Sequence, residues 1–398
     1  MADFSDYEQL TRKVKEDLQK GDLASAAAQI QKYREKEKNI PLNIAITGES
    51  GSGKSTFVNV IRGVDNRDEG AAPTGAVETT KEATPYPHPN YPNVVIWDLP
   101  GIGTVNHPAA DYLKKVGFEK YDFFIIISAD RFTENDVKLA KEIRRMGKKF
   151  YFVRSKIDNC VREEGRSQRN FNEAQTLNRI RENCFQGLQG QGFRSPQVFL
   201  ISSFELHLYD FPLLLQTLER ELPEHKRDTF LLAMPNISLE VINKKKKAFY
   251  AKIALAATLS AAVGAAPVPG LSVAVDIAIM VGVIRDYLYG FGLDAPSLRR
   301  LANCTGVPLD ELKTVIKSQL AAKEVTAGLV LKLLLQLASM AGLMAAEEAA
   351  RLIPMLGIVA SSALSFTTTF GSLYTFLNEL AEDAQRVFQK ALGCNTTG

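Results

Sequence analysis

The sequence predicts a doubly wound α/β domain on a mostly parallel sheet, flanked in the chain by helical stretches. Three observations predict it. A G-x-x-x-x-G-K-S loop, Gly48-Glu49-Ser50-Gly51-Ser52-Gly53-Lys54-Ser55, lies between a short apolar run and a second apolar segment able to continue as a helix. Strand-type runs alternate with helical periodicity from residue 38 to 225. From 226 to 398 the pattern is almost wholly helical.

Composition bounds the function classes. The 398 residues allow two or three domains, and 45% hydrophobic content supplies a packed core. A formal net charge of +3 gives no case for a nucleic-acid partner. Cys160, Cys184, Cys304 and Cys394 are scattered without C-x-x-C spacing, so they read as free thiols of a reducing, cytoplasmic compartment. Met1–Ser5 is not a secretory signal, and Ala at position 2 excludes N-myristoylation.

The first domain segment, 1–37, reads as an amphipathic helical hairpin. Tyr7, Leu10, Val14 and Leu18 recur at helical spacing, and Leu23, Ala27 and Ile30 continue after a break near Gly21-Asp22. The second segment, 38–225, opens with the strand Leu42–Thr47 and the loop Gly48–Thr56. Glycines let that backbone curl so that successive N–H groups face phosphate oxygens, and the helix that follows adds its positive N-terminal end. Gly48, Glu49, Ser50, Gly51, Ser52, Gly53, Lys54, Ser55 and Thr56 are therefore the expected phosphate contacts. Lys54 reaches the β- and γ-phosphates, and the Ser55 hydroxyl ligates Mg²⁺. The Gly-, Ala- and Thr-rich stretch 68–80 suits a segment ordered by γ-phosphate and Mg²⁺. Thr74 is its first choice for the catalytic, metal-ligating hydroxyl and Thr80 the second.

Three further motifs each follow a strand. After Val94–Asp98 comes Asp98-Leu99-Pro100-Gly101, in which Asp98 holds Mg²⁺ through water and the catalytic Gly101 N–H faces the γ-phosphate. Ile102 stands where many small switch GTPases place the glutamine that orients the attacking water, and it cannot do so. The strand Phe123–Ser128 is apolar throughout, as a central strand should be. A helix over 134–146 leads to the strand 149–154 and then to Ser155-Lys156-Ile157-Asp158. Asp158 can accept from guanine N1–H and N2–H₂, a pair adenine lacks, with the Lys156 stem along the base. A helix over 173–187, the strand 197–202, Ser202-Ser203 as a base-contacting loop and a helix over 210–221 complete the segment.

At these residues a resemblance becomes specific. G-E-S-G-S-G-K-S-T-F-V-N, E-G-A-A-P-T-G, Y-P-H-P, W-D-L-P-G-I-G and Y-D-F-F-I-I-I-S-A resemble the immunity-related (interferon-inducible) GTPase family, among the members that keep Lys in the loop. The likeness covers roughly 38–225 and continues more loosely through 285–312. It implies a dynamin-related G domain whose GTP hydrolysis is stimulated by self-association, and an all-α helical domain built from both chain ends. It also implies interferon-linked, cell-autonomous defence at membranes around intracellular pathogens.

The third segment, 226–398, carries Lys244-Lys245-Lys246-Lys247, read as a solvated helix face, and two uncharged runs, Ile253–Val275 and Leu352–Leu377. Each run is long enough for a bilayer, where ~20 residues suffice, but both are rich in small residues and fit closely packed helices better. The expected function is a Mg²⁺-dependent GTPase, exchanging GTP and GDP, that assembles with itself and associates with intracellular membranes in a nucleotide-dependent way. The alternative is a membrane-inserting scaffold that uses GTP as a conformational ligand and hydrolyses it little.

Overall fold

The structure, a computed structural model, describes residues 10, 12–13, 16–17, 20, 22–75, 80, 82–101, 117–129, 132–264, 271–340 and 360–393. Its elements in chain order are α1 (Leu23–Lys38), β1 (Leu42–Thr47), α2 (Lys54–Ile61), β2 (Thr84–Pro87), β3 (Val94–Asp98) and β4 (Phe123–Ser128). Then come α3 (Glu134–Arg145), β5 (Phe150–Arg154), α4 (Ile157–Ser167), α5 (Glu173–Gln189), β6 (Val198–Leu200), α6 (Phe211–Glu221) and α7 (Glu224–Ala233). The remainder is helical: α8 (Leu239–Gly264), α9 (Leu271–Gly290), α10 (Ala295–Thr305), α11 (Leu309–Thr314), α12 (Gln319–Ala322), α13 (Ala327–Met340) and α14 (Ala360–Ala391).

Two compact units result, one of residues 41–237 and the other of 1–40 with 238–398. The second is thus drawn from both chain ends, and its regular elements among the described residues are all helices. The expected break at 225 moves to 237 for a physical reason. Lys226 on α7 bonds the Asp122 carboxylate at 2.7 Å, and the other Asp122 oxygen accepts the Asn43 amide at the start of β1. Phe230–Ala233 are buried in the same unit.

The sheet of the first unit has the order β2-β3-β1-β4-β5-β6. All pairings are parallel except β2 with β3. β4 is buried at every position, as its unbroken apolar sequence requires of a strand covered on both faces. β2 was not expected. Its Thr-Pro-Tyr-Pro sequence lacks two amide donors and is tolerated because the strand is an edge. The chain leaves β1 toward β3 on one side and β4 on the other. The carboxyl end of β1 is therefore the switch point at which such sheets bind ligands. Beneath it, Ala45, Phe124, Ile126, Leu139, Ile143, Phe152 and Leu188 form one buried cluster.

In the helical unit α8 packs against α1, α9 and α14. Ile253, Ala257, Phe370, Leu373 and Leu377 are fully buried, so these positions of the two uncharged runs are core. Among the described residues no helix is long and apolar enough to cross a membrane. The four-lysine run is not one solvated face. Lys245 is 1% exposed and donates to the Gly290 carbonyl at 2.7 Å, capping the end of α9. Burial pushes its ammonium pKa down to about 7, with Arg300 adding to the effect.

Candidate functional site

Loop geometry is set by steric necessity. Gly48 has φ +142°, and a Cβ there would lie 2.0 Å from the Ile127 carbonyl oxygen on β4. Gly53, at φ +94°, is the left-handed residue from which α2 starts. Two side-chain bonds fasten the loop. Ser155 Oγ, buried at the end of β5, donates to the Ser52 carbonyl at 2.7 Å, and Lys156 Nζ donates to the Gly51 carbonyl at 2.8 Å. The serine at 155 thus links the base-side motif to the loop.

Ser50, Gly51, Gly53, Lys54, Ser55, Thr56, Thr74, Gly75, Thr80, Gly101 and Lys156 line one open cavity at the switch point. Lys54 is 7% exposed and its Nζ donates to the Glu49 carbonyl at 2.8 Å. The Glu49 carboxylate turns away from the cavity and accepts from Thr133 Oγ1 and Asn135 Nδ2, each at 2.9 Å. These two partners have no sequence motif. Thr133 is also the N-cap of α3, in a reciprocal capping box with Asp136. Asp136 is fully buried and its pKa is raised to about 6, chiefly by burial, with Glu49 adding to the rise.

Asp98 is the centre of the charge arrangement. Its Oδ2 accepts from Ser55 Oγ at 2.6 Å and from Thr80 Oγ1 at 2.9 Å. Its Oδ1 is buried with no hydrogen-bond partner among the described residues. Burial raises the carboxyl pKa, and the Ser55 and Thr80 hydroxyls and the Lys54 ammonium oppose the rise. A buried carboxylate with one unserved oxygen beside two hydroxyls is a donor set that fits a hydrated Mg²⁺. Thr80, the second choice, is the threonine brought to Asp98; Thr74 is exposed and lines the same cavity. Gly101 approaches the loop so closely that a Cβ would lie 3.0 Å from the Ser50 nitrogen. Ile102 and Glu78 lie outside the described residues.

On the base side, Lys156 holds the left-handed conformation at φ 55° and α4 begins at the next residue. Asp158 therefore sits in the first helical turn, its side chain 11% exposed and 3.7 Å from Arg162. Ser202 is fully buried, and its hydroxyl accepts the amides of Phe204 and Glu205. That side chain shapes the turn. Ser203 is half-buried beside it. Tyr209, also left-handed at φ 54°, has its phenol pKa raised by burial and by the nearby Glu173, Glu205 and Asp158 carboxylates.

The comparisons agree with this geometry. The family model described as Interferon-inducible GTPase (IIGP) matches residues 7–391. The chain belongs to the interferon-inducible GTPase family. It is 43% identical over 377 residues to rat Interferon-inducible GTPase 5, covering 94% of this chain and 81% of that protein. It is 37% identical to mouse Interferon-gamma-inducible GTPase 10, over 94% of this chain and 87% of the relative. With mouse T-cell-specific guanine nucleotide triphosphate-binding protein 2 the identity is 42%, over 75% and 72%. As a member of the interferon-inducible GTPases the chain is a GTP-binding and GTP-hydrolysing enzyme of interferon-linked immunity.

Proposed function

We propose that the cavity at the β1 switch point holds GTP with Mg²⁺ and hydrolyses it, and that hydrolysis is driven by a second copy of the chain. The observation carrying the site assignment is the Asp98 arrangement, with Ser55 and Thr80 on one oxygen and the other buried with no hydrogen-bond partner among the described residues. Ser55, Thr80 and Asp98 are the residues that would hold Mg²⁺, and this geometry favours Thr80 over Thr74. An ion held there would supply positive charge that offsets the negative charge of the phosphates as the terminal phosphoryl group passes to water and GDP is released.

The chain's own groups do the rest. Loop amides from Gly48 to Thr56 cradle the phosphates, and Lys54 exchanges the Glu49 carbonyl for phosphate oxygens. The Gly101 amide faces the terminal phosphate. Asp158 reads the guanine edge, and Ser202-Ser203 close the loop beside it. Ile102 offers no group to orient water, so the second copy supplies it across the nucleotide face, with Glu78 and 74–80 as the contact. GTP-dependent assembly then governs association with intracellular membranes through 244–290 and 352–377, as a packed or hairpin element.

Base selection tests the site. Asp158→Asn should lose GDP affinity by tenfold or more and gain xanthosine diphosphate affinity, because the amide offers a donor where the carboxylate only accepts. Calorimetric titration reads both, and unchanged GDP affinity would remove Asp158 from the site.

A further inference from the structure

Phe204 is the most exposed aromatic ring among the described residues, at 59%. Aromatic rings in this unit are otherwise largely packed: Phe57 on Phe211, Phe123 on Tyr151, Phe150 on Phe193. Its position is nevertheless fixed. Ser202 Oγ accepts the Phe204 and Glu205 amides at 3.2 Å each, so a tight turn follows β6 directly. The same strand end is tied to the base-side motif on the neighbouring strand. The Ile157 amide donates to the Ile201 carbonyl at 3.2 Å, and the Ile201 amide to the Arg154 carbonyl at 2.9 Å. A hydrogen-bonded turn therefore carries a solvent-facing ring at the carboxyl end of β6, three residues beyond the Ile201 carbonyl that bonds the residue between Lys156 and Asp158, on the side of the sheet where ligands bind.

We propose that Phe204 is a base-stacking residue, its ring lying on one face of the bound guanine while the Lys156 stem lies along the other. This rests on the reading that Asp158 holds the base edge. The division of labour is chemical: stacking uses the π-face that every purine has and adds affinity without discrimination, whereas the Asp158 carboxylate selects guanine.

The test is calorimetric titration of the full chain with GDP, inosine diphosphate and inorganic tripolyphosphate. Phe204→Ala should weaken GDP and inosine diphosphate by the same factor, about tenfold, within the range of one base–aromatic stack. Tripolyphosphate affinity should not change, and Phe204→Tyr should bind all three like the parent. In Phe204→Trp, GDP should quench the added tryptophan emission and tripolyphosphate should not. GDP affinity of Phe204→Ala within twofold of the parent would overturn the stack. So would an equal loss for tripolyphosphate, or a loss that vanishes on dilution, which would mark a contact between copies. The underlying reading fails differently: Asp158→Asn without a change in base preference removes the edge contact, whereas the stack is judged by a base-independent loss at Phe204.

Discussion

Asp98 has one oxygen bonded by two hydroxyls and the other buried with no hydrogen-bond partner among the described residues, a donor set that a bound cation would complete. Lys54 has the complementary role: its bond to the Glu49 carbonyl is one that phosphate oxygens can replace, whereas Gly48, Gly53 and the Ser155 hydroxyl set the course of the loop backbone. Lys54→Ala should therefore abolish GTP turnover, at least a hundredfold, while the circular dichroism melt stays within about 2 °C; parental turnover would contradict the phosphate role. Asp136 makes a pH prediction. Its folded pKa of about 6 lies above its ordinary 3.8, so its contribution to stability is full below 3.8 and is lost as pH rises through 6. Asp136→Asn keeps an acceptor for the Thr133 amide and removes the charge. It should stabilise the protein at pH 7.5, on the order of 1–3 kcal/mol, and do so little at pH 4. A gain that does not depend on pH would contradict burial as the cause. The phosphate loop, Asp98 and Asp158 stand out in the sequence because the phosphate and guanine chemistry proposed for them asks for fixed residue types at fixed spacing. Thr133 and Asn135 were not, because a hydroxyl and an amide more than eighty residues from Glu49 leave no local signal.

Among the elements, long apolar or strongly periodic ones were legible, and those placed by tertiary partners were not. β4 and α5 lie close to their expected spans. β2 escaped notice because two prolines argue against a strand until an edge position is available. α4 escaped because Arg162-Glu163-Glu164-Gly165 interrupts its apolar periodicity. The lysine run on α8 misled because four adjacent charges suggest solvent, yet a helix sends neighbours to different faces and one of them inward. Lys245 has a folded pKa of about 7, below the ordinary 10.5, so its contribution is full above 10.5 and lost as pH falls through 7. The helical unit should melt several degrees lower at pH 6 than at pH 9. Lys245→Met should flatten that difference, even though the Gly290 carbonyl loses its donor, and calorimetric melts at the two pH values check it.

For the whole molecule, the division into a sheet unit and an all-helical unit from both chain ends matches the family resemblance, with the seam after Ile237 and not at 225. That shift was illegible because α7 is a short helix whose allegiance is decided by the Lys226–Asp122 bond, not by its own periodicity. Because Ile102 provides no water-orienting side chain, we propose that one copy of this GTPase binds GTP completely but needs a second copy to hydrolyse it efficiently. The most direct measurement is GTP turnover per molecule over a hundredfold range of protein concentration at saturating GTP and Mg²⁺. The rate should rise with concentration, by about tenfold or more across the range, and plateau when the protein is fully assembled. A rate per molecule that stays flat from end to end would contradict it and assign hydrolysis to a group within the single chain.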